Sequence, residues 1–157
     1  MSVALAVATP GDMRRLGERI GTAARAGDLI VLDGPLGAGK TTVAQGIGVA
    51  MGVRGPVTSP TFVIARVHPG TSGGPDLVHV DAYRLTSLAD LDDLDLDTAI
   101  DASVTVVEWG KGMVEVLSDE WLLVSIDRSG DDVCDERQVT LSTAGRRWAD
   151  TLPSLVS

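Results

Sequence analysis

The chain has 157 residues, enough for one compact domain with a real core, and its 44% hydrophobic content excludes a disordered segment. No apolar stretch is long enough to span a bilayer. Twenty-two acidic residues against 13 basic ones give a net charge of −9, and the aromatic residues are three Trp, one Tyr and one Phe. That balance speaks against direct nucleic-acid binding, which needs a basic field and stacking platforms. Any link to nucleic acid is therefore expected to run through a partner protein.

Met1–Ala8 is apolar without a basic leader and reads as a first strand, not a secretion signal. Thr9–Asp12 reads as a turn and helix start with Pro10 near the first helical position. Met13, Leu16, Ile20 and Ala23/Ala24 repeat at helical spacing through Ala26, with Gly27 as the cap. Asp28–Asp33 is a short β-branched run of strand type, and Val43–Met51 reads as a helix weakened by Gly46 and Gly48. Gly52–Pro60 is a loop by composition. Thr61–His68 and Leu77–Asp81 read as strands, and the turn-rich 69–75 connector makes them an antiparallel hairpin. Ser87 and Asp90 mark a short helix through Leu88, Leu91 and Leu94. Val104–Glu108 is a buried strand. Trp121–Asp127 and Val133–Leu141 form a second hairpin around Ser129–Asp132, and Thr143–Leu152 closes the chain as a helix. With no repeat or linker, residues 1–157 are expected to form a single domain. Cys134 is the only cysteine, which excludes an internal disulfide, fits a reducing cytoplasm and reads as a packed residue.

The chemistry sits between the second strand and the second helix. Gly34-Pro35-Leu36-Gly37-Ala38-Gly39-Lys40-Thr41 is a complete G-x-x-x-x-G-K-[ST] phosphate loop in the strand–loop–helix setting that the motif requires. Such a turn points main-chain N–H groups at phosphates, the Lys40 ammonium reaches the outer phosphates, and the Thr41 hydroxyl can ligate Mg²⁺. Lys40 and Lys111 are the only lysines. A phosphate loop also needs an acid for the metal, at the carboxyl end of a neighbouring strand. Asp81 and Glu108 both end strands. Glu108 is the better candidate on strand quality, because His79 interrupts the run before Asp81. His79 itself is a candidate general base or metal ligand, but the favoured reading is a hydrogen-bonded, half-buried side chain. The acidic run 90–97 lacks the glycine and terminal glutamate of a calcium loop and reads as a solvated helix face. Thr58-Ser59-Pro60-Thr61-Phe62 is either a switch around phosphate and metal or a plain Ser-Pro turn.

Four pieces in order, namely Gly34 to Thr42, Thr58 to Phe62, His79-Val80-Asp81-Ala82-Tyr83-Arg84 and Glu108-Trp109, resemble the TsaE (YjeE) family. The resemblance implies an α/β fold of the P-loop NTPase kind, a three-layer sandwich with a mixed central sheet flanked by helices. It also implies a cytoplasmic bacterial ATPase that works with TsaB and TsaD in N6-threonylcarbamoyladenosine modification of tRNA, meeting tRNA only through that complex, with Mg²⁺ and ATP or ADP bound. By matched position, Gly37, Ala38, Gly39, Lys40, Thr41 and Thr42 hold phosphates, while Thr41 and Glu108 bind Mg²⁺. Asp81 supports the metal or orients water, and Trp109 lies near the nucleotide or the partner. Thr58, Ser59 and Thr61 form the switch-like loop, and Tyr83 and Arg84 brace the site or meet the partner. Lys40, Asp81 and Glu108 are the catalytic set. Two positions depart from the family pattern. Pro35 stands where the family has Asp and cannot donate an N–H. Met13 stands where a threonine contact to the nucleoside is common, leaving Thr9, just upstream, as the substitute candidate. The 69–75 turn is an insertion of unread role.

Two other functions use the same loop: a small-molecule kinase, and a nucleotide-gated interaction module with little turnover. A kinase would want an Arg-rich lid, whereas Arg128, Arg137, Arg146 and Arg147 are scattered. A GTPase of the Asn-Lys-x-Asp type is excluded, because the chain has no asparagine.

Overall fold

The computed structural model describes residues 1–35, 38–55, 57, 65–71, 73–81, 101–108, 118–128 and 136–156. Seven strands and three helices are found among them. They are β1 (Ser2–Val7), α1 (Pro10–Ala23), β2 (Leu29–Asp33), α2 (Lys40–Met51), β3 (Ala65–His68), β4 (Asp76–Asp81), β5 (Ser103–Glu108), β6 (Trp121–Arg128), β7 (Arg137–Ala144) and α3 (Arg146–Val156). The strands make one sheet in the order β1-β7-β6-β2-β5-β4-β3. The central run β6-β2-β5-β4 is parallel, and β7, β1 and β3 add antiparallel edges.

The apolar pattern explains this order. β2 and β5 are buried along nearly their whole length, as strands covered on both faces must be. Ile30, Leu32, Leu77, Val104 and Val106 join Leu16 and Ile20 of α1, Ile47 of α2, and Trp148 and Leu152 of α3 in one core cluster. Side chains alternate along a strand, so His79 (two after Leu77) and Glu108 (two after Val106) lie on this same helix-covered face. Gly46, costly to a lone helix by about 1 kcal/mol, is what α1 and α2 need to touch. A methyl group there would sit 2.2 Å from the Arg14 carbonyl oxygen.

Several expected boundaries move. α1 starts as the sequence suggests, with Thr9 Oγ1 accepting the Asp12 N–H at 3.1 Å and Pro10 in the first turn. It stops at Ala23 and not at Gly27. The Ala24 N–H closes the last turn on the Gly21 carbonyl at 3.3 Å, the Asp28 carboxylate accepts the Arg25 N–H at 2.6 Å, and the Arg147 guanidinium donates to the Ala23 carbonyl. α2 starts at Lys40, inside the phosphate loop itself. The β3–β4 pair is the expected antiparallel hairpin, with Ala65 opposite Val80 and His68 opposite Leu77. β7 runs to Ala144 because it pairs with both β1 and β6, so the closing helix begins at Arg146 and not at Thr143. The expected short helix around Leu88–Leu94, Cys134 and the start of Thr61–His68 lie outside the described residues.

Candidate nucleotide-binding site

β2 ends at the centre of the sheet with Asp33, and the chain leaves it through Gly34 and Pro35. This is where ligands bind in open parallel sheets, beyond the carboxyl ends of the strands. Gly39 caps α2 in the left-handed region at φ +118°, a conformation that costs any other residue strain. It has no side chain to satisfy the helix N-terminus. The first N–H of α2 bonded within the turn is that of Val43, to Gly39 O at 3.0 Å. The N–H groups of Lys40, Thr41 and Thr42 come before it and have no intrahelical acceptor, which is the arrangement that attracts an anion.

Lys40 folds back over the loop. Its Nζ donates to the carbonyl oxygens of Gly34 at 2.7 Å and Pro35 at 2.9 Å, and the residue is only 5% exposed. Burial lowers its pKa from the ordinary lysine value, and the carboxylates of Glu108, Asp33 and Asp81 oppose that shift, Glu108 most strongly. Pro35 thus serves through its carbonyl. That same oxygen accepts the Ala38 N–H at 3.1 Å, so the Ala38 amide is turned into the loop.

The two candidate acids arrive by strand register. Glu108 ends β5 opposite Leu32 of β2 on one side and opposite Asp81 of β4 on the other. Both carboxylates therefore finish at one level beside the loop. Glu108 is 4% exposed, and its Oε2 lies 2.5 Å from Nε2 of His79, which is fully buried. The expected hydrogen bond of His79 is present, but the ring belongs to the core and its partner is the site carboxylate. His68 of β3 is also buried, and its pKa is lowered, chiefly by burial and then by His79 and Arg66.

Thr9, Pro10, Met13, Ala38, Gly39, Thr42 and Arg137 line a cavity of about 110 Å³ beside the loop. It is smaller than whole-ligand pockets, which start at about 300 Å³. Met13 is buried against the loop, and a methyl group on Gly39 would come within 3.4 Å of its Cγ. The helix position thus supports the loop from below, and Thr9 reaches the cavity rim. A larger cavity of roughly 500 Å³ lies at the amino end of β2 among Arg25, Asp28, Glu120 and Arg147, away from the loop.

The donor chemistry fits Mg²⁺. A hydroxyl at Thr41 and carboxylates at Glu108 and Asp81 are hard oxygen ligands of the preferred kind. Among the described residues, the Lys40 ammonium is faced by the carboxylates of Glu108, Asp33 and Asp81, a charge balance that a divalent cation would offset.

Of the residues singled out by sequence, Ala38, Gly39, Lys40, Thr41, Thr42, Asp81 and Glu108 converge around the loop, with Thr9 at its cavity. Gly37, Trp109, Thr58, Ser59 and Thr61 lie outside the described residues. Sequence reasoning underrated His79, although its i, i+2 relation to Asp81 already placed both on one face. It also passed over Arg137 at the cavity and Asp33 near Lys40. Arg137 had no local signal, because β7 reaches the site only through pairing with β6 and β1.

The profile of TsaE, described as a threonylcarbamoyl adenosine biosynthesis protein, matches residues 7–139. A "tRNA threonylcarbamoyladenosine biosynthesis protein TsaE" of Streptomyces coelicolor is 58% identical over 139 residues, covering 87% of this chain and 94% of its own. A protein of the same name from Bacillus subtilis is 35% identical over 140 residues, covering 88% of this chain and 84% of its own. The crystal structure of Bacillus subtilis YdiB superposes with a TM-score of 0.78 at 30% identity, over 99% of this chain and 95% of that one. The mixed sheet with its helices is thus an α/β fold of the P-loop NTPase type. With a family profile matched along most of its length and the phosphate loop at the centre of its sheet, this chain belongs to the TsaE family.

Proposed function

We propose that this chain is one nucleotide-binding unit that binds ATP with Mg²⁺ at the phosphate loop and hydrolyses it. In doing so it supports a TsaB–TsaD complex in N6-threonylcarbamoyladenosine modification of tRNA. The observation that carries this reading is the convergence of the buried Lys40 ammonium, the open N-terminus of α2 and the register-matched carboxylates of Asp81 and Glu108. The family names supply the pathway.

Lys40 and the N–H groups of Gly39 to Thr42 bind the phosphate tail and stabilise charge that develops on the transferring phosphoryl group. Thr41, Glu108 and Asp81 would hold Mg²⁺, which when bound supplies charge neutralisation across the outer phosphates. Where Thr41 and Glu108 alone hold the metal, Asp81 would instead orient a water molecule. Thr9, Met13 and Arg137 border the place where the nucleoside end leaves the loop. With a net charge of −9, tRNA is met only through the partner proteins.

The test is phosphate release from ATP and Mg²⁺ by the chain alone and with TsaB and TsaD, beside a panel of hydroxylated metabolites. Phosphate appearing in water, faster with the partners, supports the reading. Phosphate on a metabolite means a kinase, and tight binding without turnover in the full mixture means a nucleotide-gated interaction module.

A further inference from the structure

We propose that His79 is the positioning residue of the site carboxylate. Its Nε2–H holds Oε2 of Glu108, leaving Oε1 as the oxygen offered to the cation. The inference rests on the metal-binding reading of Glu108 given above and adds a residue to it.

Three observations carry it. The contact is short, at 2.5 Å, and both groups are shielded from water, with His79 fully buried and Glu108 4% exposed. An ionised carboxylate can only accept a hydrogen bond, so the proposed contact has His79 Nε2–H donating to Glu108 Oε2. The two residues come from adjacent parallel strands with fixed pairing, Asp81 opposite Glu108 and His79 opposite Val106. The imidazole therefore reaches the carboxylate diagonally across one step of the ladder, from a rigid element and not from a loop.

The position is also a poor place for an imidazole unless the contact matters. Leu77, Val78 and Val80 around it are core residues. Nδ1 of His79 is buried and has no hydrogen-bond partner among the described residues, and the same holds for Nε2 of His68 on the neighbouring strand. Burying a polar atom without a partner is unfavourable, and an aliphatic side chain would pack here without that cost. The one polar contact recorded for His79 among the described residues is Glu108. Outer groups that orient a metal-binding side chain fix its rotamer and typically change metal affinity by about 10- to 100-fold when removed. Glu108 is also the carboxylate that acts most strongly on Lys40, so fixing it fixes the spacing between the cation site and the phosphate-binding ammonium.

The experiment is calorimetric titration of the full chain with ADP, in Mg²⁺ and in EDTA, for the unmutated protein, His79→Leu, His79→Gln and Glu108→Gln. His79→Leu should keep its affinity in EDTA within about twofold and lose about tenfold or more of the gain produced by Mg²⁺. His79→Gln, whose amide N–H can stand in for Nε2–H, should recover most of that gain. Three results overturn the inference: an unchanged Mg²⁺ gain in His79→Leu, an equal loss with and without Mg²⁺, or no recovery in His79→Gln. Glu108→Gln separates the two layers. If it keeps the full Mg²⁺ gain, the metal reading of Glu108 itself falls. If it loses that gain while His79→Leu does not, only the role of His79 falls. Should His79→Leu fail to fold, imidazole ¹⁵N spectra of the unmutated chain decide. The chain has two histidines, and His68→Gln assigns them. His79 should carry its proton on Nε2 and shift when Mg²⁺ is added to the ADP complex. A proton on Nδ1, or no response to Mg²⁺, overturns the proposal.

Discussion

Replacing Lys40 by Met tests the ammonium with little change in side-chain length. Nζ makes two charge-assisted bonds to the loop, 2.7 Å to Gly34 O and 2.9 Å to Pro35 O. Bonds to a charged group contribute about 1.5–3 kcal/mol each. On binding, these carbonyl contacts are shared with or exchanged for phosphate oxygens that carry full charge. The net loss in the complex should then equal about one such bond, 2–3 kcal/mol, or about 30- to 150-fold in affinity. The free protein should change less. The variant loses the two loop bonds and the Lys40 charge that faces Glu108, Asp33 and Asp81, but it also removes a buried ammonium whose desolvation was unfavourable. We expect a stability change under about 1.5 kcal/mol. The assay is competition against a fluorescent ADP analogue in Mg²⁺, with urea unfolding as the control. Affinity within threefold of the parent would refute the argument, as would a loss matched by unfolding.

Other consequences follow from the same contacts. Lys40 has a lowered pKa in the free protein and should regain its proton when phosphates arrive. Nucleotide binding should therefore take up a proton on the alkaline side, below the ordinary lysine value of about 10.5, and weaken as pH rises there. Calorimetry in buffers of different ionisation heat measures this, and Lys40→Met should abolish it. His68 is held below the ordinary histidine value, mainly by burial. The unfolded chain then takes up its proton first as pH falls below about 6.5, so His68's contribution to stability is present above that pH and lost through the window beneath it. Urea midpoints should slope down in that window, and less steeply in His68→Leu. Arg147 bonds Asp28 at 2.9 Å and the Ala23 carbonyl, and lies 4.6 Å from the Trp148 ring centroid. Arg147→Met should destabilise the fold by about 3 kcal/mol, measured by urea unfolding, because it removes the charge partner of the buried Asp28 carboxylate and leaves it the Arg25 N–H. It should leave nucleotide affinity unchanged, since this cluster lies at the amino end of β2.

Much of this molecule is readable from its residues because local and global signals agree. The β-branched run before Gly34, the Gly39-Lys40-Thr41 end of the phosphate loop and the strand ending in Glu108 all follow from short-range pattern, whereas the start of α2 at Lys40, ahead of Val43, does not. Pairing across the sheet is less readable. Nothing near Asp81 says that it will stand level with Glu108; the β4–β5 register decides that. The end of α1 is not legible locally, because the Ala23 carbonyl is bonded by Arg147, 124 residues away in sequence. Gly46 weakens a helix in isolation and makes the α1–α2 contact possible in the fold. The partner of His79 is not legible locally, because the Glu108 carboxylate belongs to another strand.

The most direct measurement of the central claim is calorimetric titration of the unmutated chain with ATP, once in Mg²⁺ and once in EDTA. The arrangement of one ammonium, an open helix N-terminus and three nearby carboxylates predicts a single saturable site that tightens markedly with the metal. Absence of saturable heat, or equal affinity in the two buffers, would contradict it.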